Sequence, residues 1–134
     1  SFPTRRSSDL NMNERKKESR SKEISERYVE LLDRHVDDVI AERTQAFMTL
    51  NQIASELAVS HKHLIDIIQH ELGSHPGYFY DFKIIEKTKE MLLEADVSIA
   101  AIARTFTYDP SNFSKFFKSR TGRTPSNFRR EYKS

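Results

Sequence analysis

Apolar residues recur along this chain with the 3.6-residue period of amphipathic helices. The first such stretch predicts a helix over about residues 24–44, because polar residues separate its apolar positions at helical spacing. Those apolar positions are Ile24, Tyr28, Leu31, Leu32, Val36, Val39 and Ile40. A second long helix is predicted over about residues 76–94, and shorter periodic stretches lie on both sides of it.

The ends of the shorter helices are marked by residues with known capping preferences. The predicted N-caps are Thr49, Ser60, Ser98 and Asp109, and the predicted C-terminal stops are Gly73 and Gly122. Pro110 and Pro125 each stand where a helix is expected to begin. With only three glycines and four prolines in 134 residues, the pattern predicts an all-α protein of about seven helices.

Two segments of the chain repeat at an offset of 49 residues. Leu50 to Phe79 aligns with Ile99 to Phe128 without a gap. The identical pairs are Ile53/Ile102, Ala54/Ala103, Gly73/Gly122, Pro76/Pro125 and Phe79/Phe128. Self-similarity at one offset indicates two copies of one supersecondary unit. Each copy has a short helix, a turn and a longer helix, which are the proportions of a helix-turn-helix.

The sequence therefore predicts two helix-turn-helix subdomains joined by a long helix. The first unit spans about residues 49–73, the joining helix about 76–94 and the second unit about 98–122. A small residue, Ala54 or Ala103, is expected where the two helices of each unit cross closely. Leu64 and Phe113 are expected to fill the matching inner positions of the longer helices.

The first 23 residues fall outside this pattern. Residues 1–10, SFPTRRSSDL, are encoded letter for letter by TCT TTC CCT ACA CGA CGC TCT TCC GAT CTN, which resembles a common short-read sequencing adaptor. We hypothesise a translated adaptor; the alternative is a disordered tail rich in arginine and serine, and resequencing the locus distinguishes the two. Residues 11–23 are polar without periodicity and are predicted to be a disordered linker, which leaves residues 24–134 for the domain.

The composition argues against several classes of function. The absence of cysteine excludes disulfides, thiolate metal sites and a cysteine nucleophile. No apolar run approaches the roughly 18 residues that cross a bilayer, and no secretory signal is found. These features favour a cytoplasmic location. Since neither a nucleophile–base pair nor a phosphate-binding loop is found, neither enzymatic activity nor a cofactor is expected.

Four histidines raise the possibility of a metal site. His61 and His63 are two residues apart, however, and this spacing points two imidazoles to different faces of a helix. No carboxylate or cysteine completes a tetrahedral ligand set with His61, His63, His70 and His75. Surface or groove-facing histidines are therefore the favoured interpretation, and no metal is expected.

The formal net charge of +2 is unevenly distributed. Residues 109–134 carry seven basic and two acidic side chains, a net charge of +5. Residues 49–73 carry one lysine, three acids and three histidines, a net charge of −2 with neutral histidine. A basic surface is typical of nucleic-acid binding. The second unit is therefore expected to contribute more of the affinity for nucleic acid than the first.

The second copy carries the residues of a family resemblance. It reads SIAAIA over residues 98–103, DPSNFSKFFK over 109–118 and TGRTPSNFR over 121–129. Together with the repeat, these segments resemble the DNA-binding domain of AraC/XylS-type bacterial transcription regulators over about 110 of the 134 residues. The family often has glycine where this chain has Ala58 and Thr107, so the left-handed turn is expected to be strained or replaced there.

The resemblance implies sequence-specific binding of double-stranded DNA, with one recognition helix from each unit in adjacent major-groove segments. The implied base contacts are Lys62, Ile65, Asp66 and Gln69 in the first unit and Ser111, Asn112, Ser114 and Lys115 in the second. Among these, Gln69 suits adenine, Asp66 suits cytosine N4 and Lys115 suits guanine O6 and N7. The implied phosphate contacts, which orient the protein without specifying sequence, are Thr49, Ser60, Ser98, Lys118, Arg120 and Arg123.

The resemblance also implies partners beyond DNA. RNA polymerase is an expected partner, whereas no membrane contact is expected. Members of this family often carry a sensor domain ahead of the DNA-binding module. This fragment is therefore expected to be monomeric, and the full-length protein to be dimeric through a missing N-terminal domain.

Some alternatives remain open at the level of sequence. A helical-repeat adaptor that binds protein partners is the alternative function; it needs more than two repeats and an apolar groove, and does not bind DNA with steep salt dependence. The apolar stripe of the first helix, from Ile24 to Ile40, is shorter than three full heptads, so packing against the first copy is favoured over a dimerising coiled coil. The aromatic residues Phe113, Phe116, Phe117 and Phe128 are expected in the core rather than around a ligand.

Overall fold

The computed structural model describes residues 12–44, 47–94 and 96–133. Within these residues the chain forms seven α-helices and no β-strand, which confirms the predicted all-α class. The helices are α1 (Met12–Ile40), α2 (Leu50–Glu56), α3 (His61–Leu72), α4 (Pro76–Glu94), α5 (Ile99–Thr105), α6 (Pro110–Thr121) and α7 (Pro125–Tyr132). The proposed adaptor stretch, residues 1–10, lies outside the described residues. Among the helices described, none is both long enough and apolar enough to cross a membrane.

Helix α1 begins at Met12 and therefore takes in most of the segment predicted as a disordered linker, residues 11–23. Side chains from Met12 to Arg20 are exposed, and apolar periodicity cannot reveal a helix turn that buries nothing. Glu, Lys and Arg are nevertheless good helix formers, and Glu18 and Lys22 have the four-residue spacing that stabilises an exposed helix. The structure thus replaces the linker by helix over residues 12–23, and the same helix ends at Ile40 rather than near residue 44.

The described residues divide into two compact units. The first comprises residues 12–31 and 49–76, and the second comprises residues 32–44, 47–48, 77–94 and 96–133. Each unit contains one helix-turn-helix, formed by α2 and α3 in the first and by α5 and α6 in the second. Helix α1 contributes to both units.

The core of the first unit is formed by side chains from α1, α2 and α3. The buried apolar residues are Ile24, Tyr28, Ile53, Ala54, Leu57, Leu64, Ile67 and Ile68. Tyr28 is fully buried, and its hydroxyl donates to the carbonyl of Pro76 at 2.7 Å, which satisfies the polar end of the ring. The burial of Ile24 and Tyr28 in this unit agrees with the predicted packing of the first helix against the first copy.

The second unit has a more aromatic core. Its buried cluster consists of Val36, Ile84, Ile85, Leu92, Ile102, Ala103, Phe106, Phe113 and Phe117. Phe113 and Ala103 thus occupy the inner positions predicted for them, as Leu64 and Ala54 do in the first unit. Two ion pairs on the surface of this unit join α1 to α4, Asp33–Lys83 at 2.6 Å and Asp37–Lys87 at 3.2 Å.

Both helix-turn-helix turns keep a left-handed residue although neither has glycine there. Ala58 and Thr107 have φ values of 60° and 61°. The N–H of the following residue donates to the carbonyl of Ala54 at 3.0 Å and of Ala103 at 2.9 Å, so the two turns close in the same way. A non-glycine residue in this conformation costs about 1–2 kcal/mol. The left-handed geometry is therefore retained in both turns, at this cost, rather than replaced.

A buried histidine holds the segment that follows α1 in the second unit. His35 Nε2 accepts a hydrogen bond from the Met48 N–H at 3.0 Å, and the Tyr80 hydroxyl donates to the Met48 carbonyl at 3.1 Å. The His35 ring also lies edge-on to Phe47 and Tyr80, with centroid distances of 5.6 and 6.2 Å. Burial lowers the pKa of His35, and the nearby Asp38 carboxylate only partly opposes this effect. An imidazolium cannot accept from Met48, so this arrangement requires neutral His35.

We expect the free energy of unfolding to decrease as the pH falls below about 6.5, the ordinary pKa of histidine. Because the pKa of His35 is lowered in the folded state, the unfolded chain binds this proton more readily. The contribution is complete above the unfolded pKa and is lost as the pH falls towards the folded value, at no more than about 1.4 kcal/mol per pH unit. Urea denaturation between neutral and mildly acidic pH measures it. His35→Gln should flatten the profile and His70→Gln should not; a wild-type profile parallel to that of His35→Gln contradicts the expectation.

Candidate nucleic-acid interface

One face of α3 is exposed, and the opposite face is buried in the core of the first unit. The anchoring side chains are Leu64, Ile67 and Ile68, all buried. Lys62, Asp66 and Gln69 are exposed, and Ile65 is half-buried at the edge of the same face. The four base contacts predicted in this helix are thus brought together on one surface.

Helix α6 presents the corresponding face in the second unit. Two fully buried side chains, Phe113 and Phe117, fix the rotation of this helix about its axis. The predicted base contacts lie on the other side, with Ser111, Asn112 and Lys115 exposed and Ser114 half-buried. On this face the lysine ammonium group can donate hydrogen bonds to base edges, and the nearby hydroxyl and amide groups can both donate and accept.

The repeat register shows that the two exposed faces differ in charge. Lys62 corresponds to Ser111, and Asp66 corresponds to Lys115. A carboxylate therefore stands in α3 where α6 carries an ammonium group. Since phosphates repel a carboxylate, the exposed face of α3 is the less favourable of the two for DNA.

The same register identifies two exposed residues that were not among the predicted base contacts. His63 corresponds to Asn112, and both are exposed. Ser119 lies one helical turn after Lys115 on the same face of α6, and it is exposed as well. The four-residue step from Lys115 and the 49-residue offset from Asn112 are the signals that point to these positions.

Three predicted phosphate contacts, Thr49, Ser60 and Ser98, are the N-caps of α2, α3 and α5. Each hydroxyl oxygen accepts the backbone N–H three residues later, at 3.2, 3.0 and 3.0 Å respectively. A hydroxyl that accepts one bond keeps its own hydrogen for donation. Because all three residues are exposed, that hydrogen is accessible to a phosphate oxygen.

The predicted cationic phosphate contacts differ in their surroundings. Lys118 is exposed on α6. Arg120 Nη2 donates to Asp81 at 2.7 Å, and its guanidinium lies 5.3 Å from the centre of the Phe116 ring. Arg123 pairs with Glu131 and lies over the Tyr132 ring. Arg120 and Arg123 therefore have to exchange a carboxylate for a phosphate, at a cost of about 0–1 kcal/mol for an exposed ion pair.

An open groove of about 430 Å³ lies within the second unit, between α4, α6 and α7. Arg120 and Arg123 line it, and so do Tyr78, Phe82 and Tyr132, each more than half exposed. Over the described parts of the chain, no group of three or more histidine, cysteine, aspartate or glutamate side chains is arranged to hold a metal ion.

Comparison with known proteins relates this geometry to a family. A family model described as a helix-turn-helix domain matches residues 53–131. The uncharacterized HTH-type transcriptional regulator YfiF of Bacillus subtilis is 30% identical over 86 residues, which cover 64% of this chain and 27% of that protein. The chain thus corresponds to about a quarter of the length of this relative.

Solved structures with the same fold include two regulator domains. The C-terminal domain of AraT, a response regulator from Geobacillus stearothermophilus, is 29% identical, with a TM-score of 0.73 over 83% of this chain and 87% of that chain. The DNA-binding domain of AdpA, solved in complex with a target DNA, is 19% identical, with a TM-score of 0.61 over 73% and 92% of the two chains. Because the family model matches more than half of its residues, the chain belongs to the AraC-type helix-turn-helix domain family.

Proposed function

We propose that this chain binds double-stranded DNA in a sequence-specific manner and regulates bacterial transcription. The observation that carries the proposal is the exposed face of α6, where Lys115 lies beside Ser111 and Asn112 in the basic part of the chain. Membership of the helix-turn-helix family supports it, and so do relatives named as a transcriptional regulator and a response regulator. The AdpA domain, which has this fold, was solved with its target DNA.

In the proposed complex α3 and α6 enter adjacent major-groove segments, and each reads base edges from its exposed face. Lys115 donates to guanine O6 and N7, with Ser111, Asn112 and Ser114 beside it. On α3, Gln69 pairs with adenine and Asp66 accepts from cytosine N4. Ile65 contacts a thymine methyl, and Lys62 is the fourth base contact of this helix.

Phosphate contacts hold the two helices in register without reading sequence. The capping hydroxyls of Thr49, Ser60 and Ser98 donate to phosphates from the starts of α2, α3 and α5. Lys118 provides an exposed cation, and Arg120 and Arg123 turn from their carboxylate partners towards the DNA backbone. A steep loss of affinity between about 50 and 200 mM salt tests this part of the proposal, because released counterions drive such binding.

Lys115→Ala is expected to relax base preference at one position of a DNA site by about 1–3 kcal/mol. A duplex selected from a random-sequence library and its single-base variants, titrated by fluorescence anisotropy, measure this change. Lys118→Ala is the matched control, since loss of a phosphate contact weakens all sequences alike and lowers the salt slope by about 0.9. If Lys115→Ala also weakens all duplexes equally, Lys115 contacts phosphate rather than bases.

The finer features of the proposal concern partners and location. We propose that the protein works in the bacterial cytoplasm with RNA polymerase as a partner. This fragment is proposed to be monomeric, and a domain ahead of it to supply dimerisation in the full-length protein. Sedimentation of this chain and of the full-length protein measures their oligomeric states and tests the two proposals separately.

One observation favours the alternative function, a helical adaptor for protein partners. Tyr78, Phe82 and Tyr132 expose more than half of their surface around the groove in the second unit. An adaptor that uses this groove binds its partner with or without DNA and shows no steep salt dependence on DNA. Loss of DNA binding in Lys115→Ala and Lys118→Ala together, with no change in Tyr78→Ala, favours the DNA-binding function.

A further inference from the structure

We infer that DNA binding by the first unit is coupled to protonation of three histidines on α3, so that affinity increases as the pH falls below neutrality. This inference rests on the proposed DNA-binding function and concerns the regulation of the same surface. The exposed face of α3 is less favourable for DNA than that of α6, because α3 is near-neutral and has Asp66 at the repeat position of Lys115.

The histidines are His61, His63 and His70, and all three are exposed on α3. His61 and His63 flank Lys62, and His70 follows Gln69, so each is adjacent to a predicted base contact. His63 also occupies the repeat position of Asn112. His63 and His70 are seven residues apart and lie on the same side of α3, whereas His61 is the first residue of the helix, next to the predicted phosphate contact Ser60. In the proposed complex each of the three is therefore close to DNA.

Acidic side chains outnumber basic ones on α3 and on the segments of the first unit considered with it. Helix α3 itself carries Lys62, Asp66 and Glu71, and His70 Nε2 lies 3.9 Å from a Glu71 carboxylate oxygen. Helix α2, the partner of α3 in the motif, carries Glu56. The part of α1 that lines a groove with Leu72 at the end of α3 carries Glu23, Glu26, Arg27 and Glu30, and His75 follows α3 in the chain. In the proposed complex, DNA phosphates close to a histidine favour imidazolium over neutral imidazole.

Protonation reverses the charge of residues 49–73, which form the helix-turn-helix of the first unit. Residues 49–73 carry −2 with neutral histidine, and three added protons bring this value to +1. Histidine is the side chain that ordinarily changes charge between about pH 5 and 8. Because binding linkage is reciprocal, a phosphate backbone that stabilises the imidazolium ions is itself bound more tightly at lower pH.

The expected magnitude follows from counterion release. Each additional protonated side chain that neutralises a phosphate steepens the salt slope of binding by about 0.9. With two or three histidines engaged, the loss of affinity between 50 and 200 mM salt becomes larger by about ten- to forty-fold at pH 6 than at pH 8. At the lower salt concentration, binding at pH 6 is expected to be about ten-fold tighter than at pH 8.

The test is fluorescence anisotropy of the whole chain with a labelled mixed-sequence duplex, at both pH values and both salt concentrations. The variant His61→Gln/His63→Gln/His70→Gln should bind as wild type does at pH 8 and lose the gain at pH 6. His75→Gln, which changes a histidine outside α3, is the matched control and should keep the gain. Circular dichroism at each pH separates binding from the acid sensitivity expected of His35.

A second measurement uses the unmodified chain. Calorimetric titration with the same duplex in two buffers of different ionisation enthalpy should show uptake of about one to three protons near pH 6.5. Absence of DNA binding at both pH values overturns the proposed function. Binding at pH 8 with no gain at pH 6 and no proton uptake overturns this inference alone. If the triple variant still binds DNA more tightly at pH 6 than at pH 8, other groups take up the protons, and this result also overturns the inference.

Discussion

Phe113→Ala is expected to lower the free energy of unfolding by about 3–5 kcal/mol, the largest effect anticipated for a single substitution in this chain. Phe113 is fully buried at the inner position of α6. Its ring lies 6.3 Å from that of Phe106 in a stacked arrangement, and 5.5 Å from that of Tyr108. Alanine removes these contacts and leaves a cavity that rigid neighbouring helices cannot close. A domain has a typical stability of about 5–15 kcal/mol, so the variant retains little of it.

Urea or thermal denaturation followed by circular dichroism measures this loss. Phe113→Leu is the informative comparison, because the first unit has Leu64 at the same repeat position. It should cost clearly less than alanine, since most of the side-chain volume is kept. Tyr78→Ala removes an aromatic ring that is more than half exposed and should change stability little. A loss below about 1 kcal/mol for Phe113→Ala contradicts the assignment of this residue to the core.

Arg129→Ala is expected to destabilise the second unit by about 2–4 kcal/mol, which is a large effect for a charged residue. Arg129 Nε donates to the Leu92 carbonyl at 2.9 Å, and Nη2 donates to the Val97 carbonyl at 2.6 Å. These two bonds join α7 to the end of α4 and to the residues before α5. A cation close to the C-terminal carbonyls of α4 also favours the helix dipole. Removing the guanidinium leaves both carbonyls without these donors.

The neighbouring arginine provides the control. Arg130 is exposed, and its Nη1 donates to the side chain of Asn127 within the same helix, at 3.1 Å. Arg130→Ala should therefore change stability by less than about 0.5 kcal/mol. Arg129→Lys keeps the charge but lacks the planar fork, so an intermediate loss is expected. Equal effects of Arg129→Ala and Arg130→Ala on the denaturation midpoint contradict a structural role for Arg129.

Much of the helical organisation follows from local patterns. The N-caps Thr49, Ser60, Ser98 and Asp109 are confirmed by hydrogen bonds to the first turns of their helices. Gly73 and Gly122 end α3 and α6 with φ values of 85° and 84°, as their positions in the repeat predict. Capping and amphipathic periodicity depend on residues at most four apart, so a single sequence contains the information. The start of α1 is the exception, because its exposed first turns have no apolar stripe.

The candidate site is predictable only in part. The exposed faces of α3 and α6 follow from periodicity, since burial of Leu64 and Phe113 directs the intervening residues outward. Their roles as base or phosphate contacts stay predictions. The pairing of Arg120 with Asp81 cannot be predicted from local patterns, because the two residues are 39 positions apart. The hydrogen bond from the Met48 N–H to His35 is likewise not predictable from the sequence, because the two residues are 13 positions apart.

The sequence contains the two copies of the repeat, the buried faces of their helices and the caps that end them. These features are encoded in short-range patterns, and the 49-residue offset makes each copy a check on the other. Tertiary structure determines which arginine side chains form hydrogen bonds within the protein. Arg129 is half-buried and bonded to carbonyls more than 30 positions away, whereas Arg130, the next residue, is exposed. Two adjacent arginines look alike in a sequence, and only the packing of distant segments around them makes one structural and leaves the other at the surface.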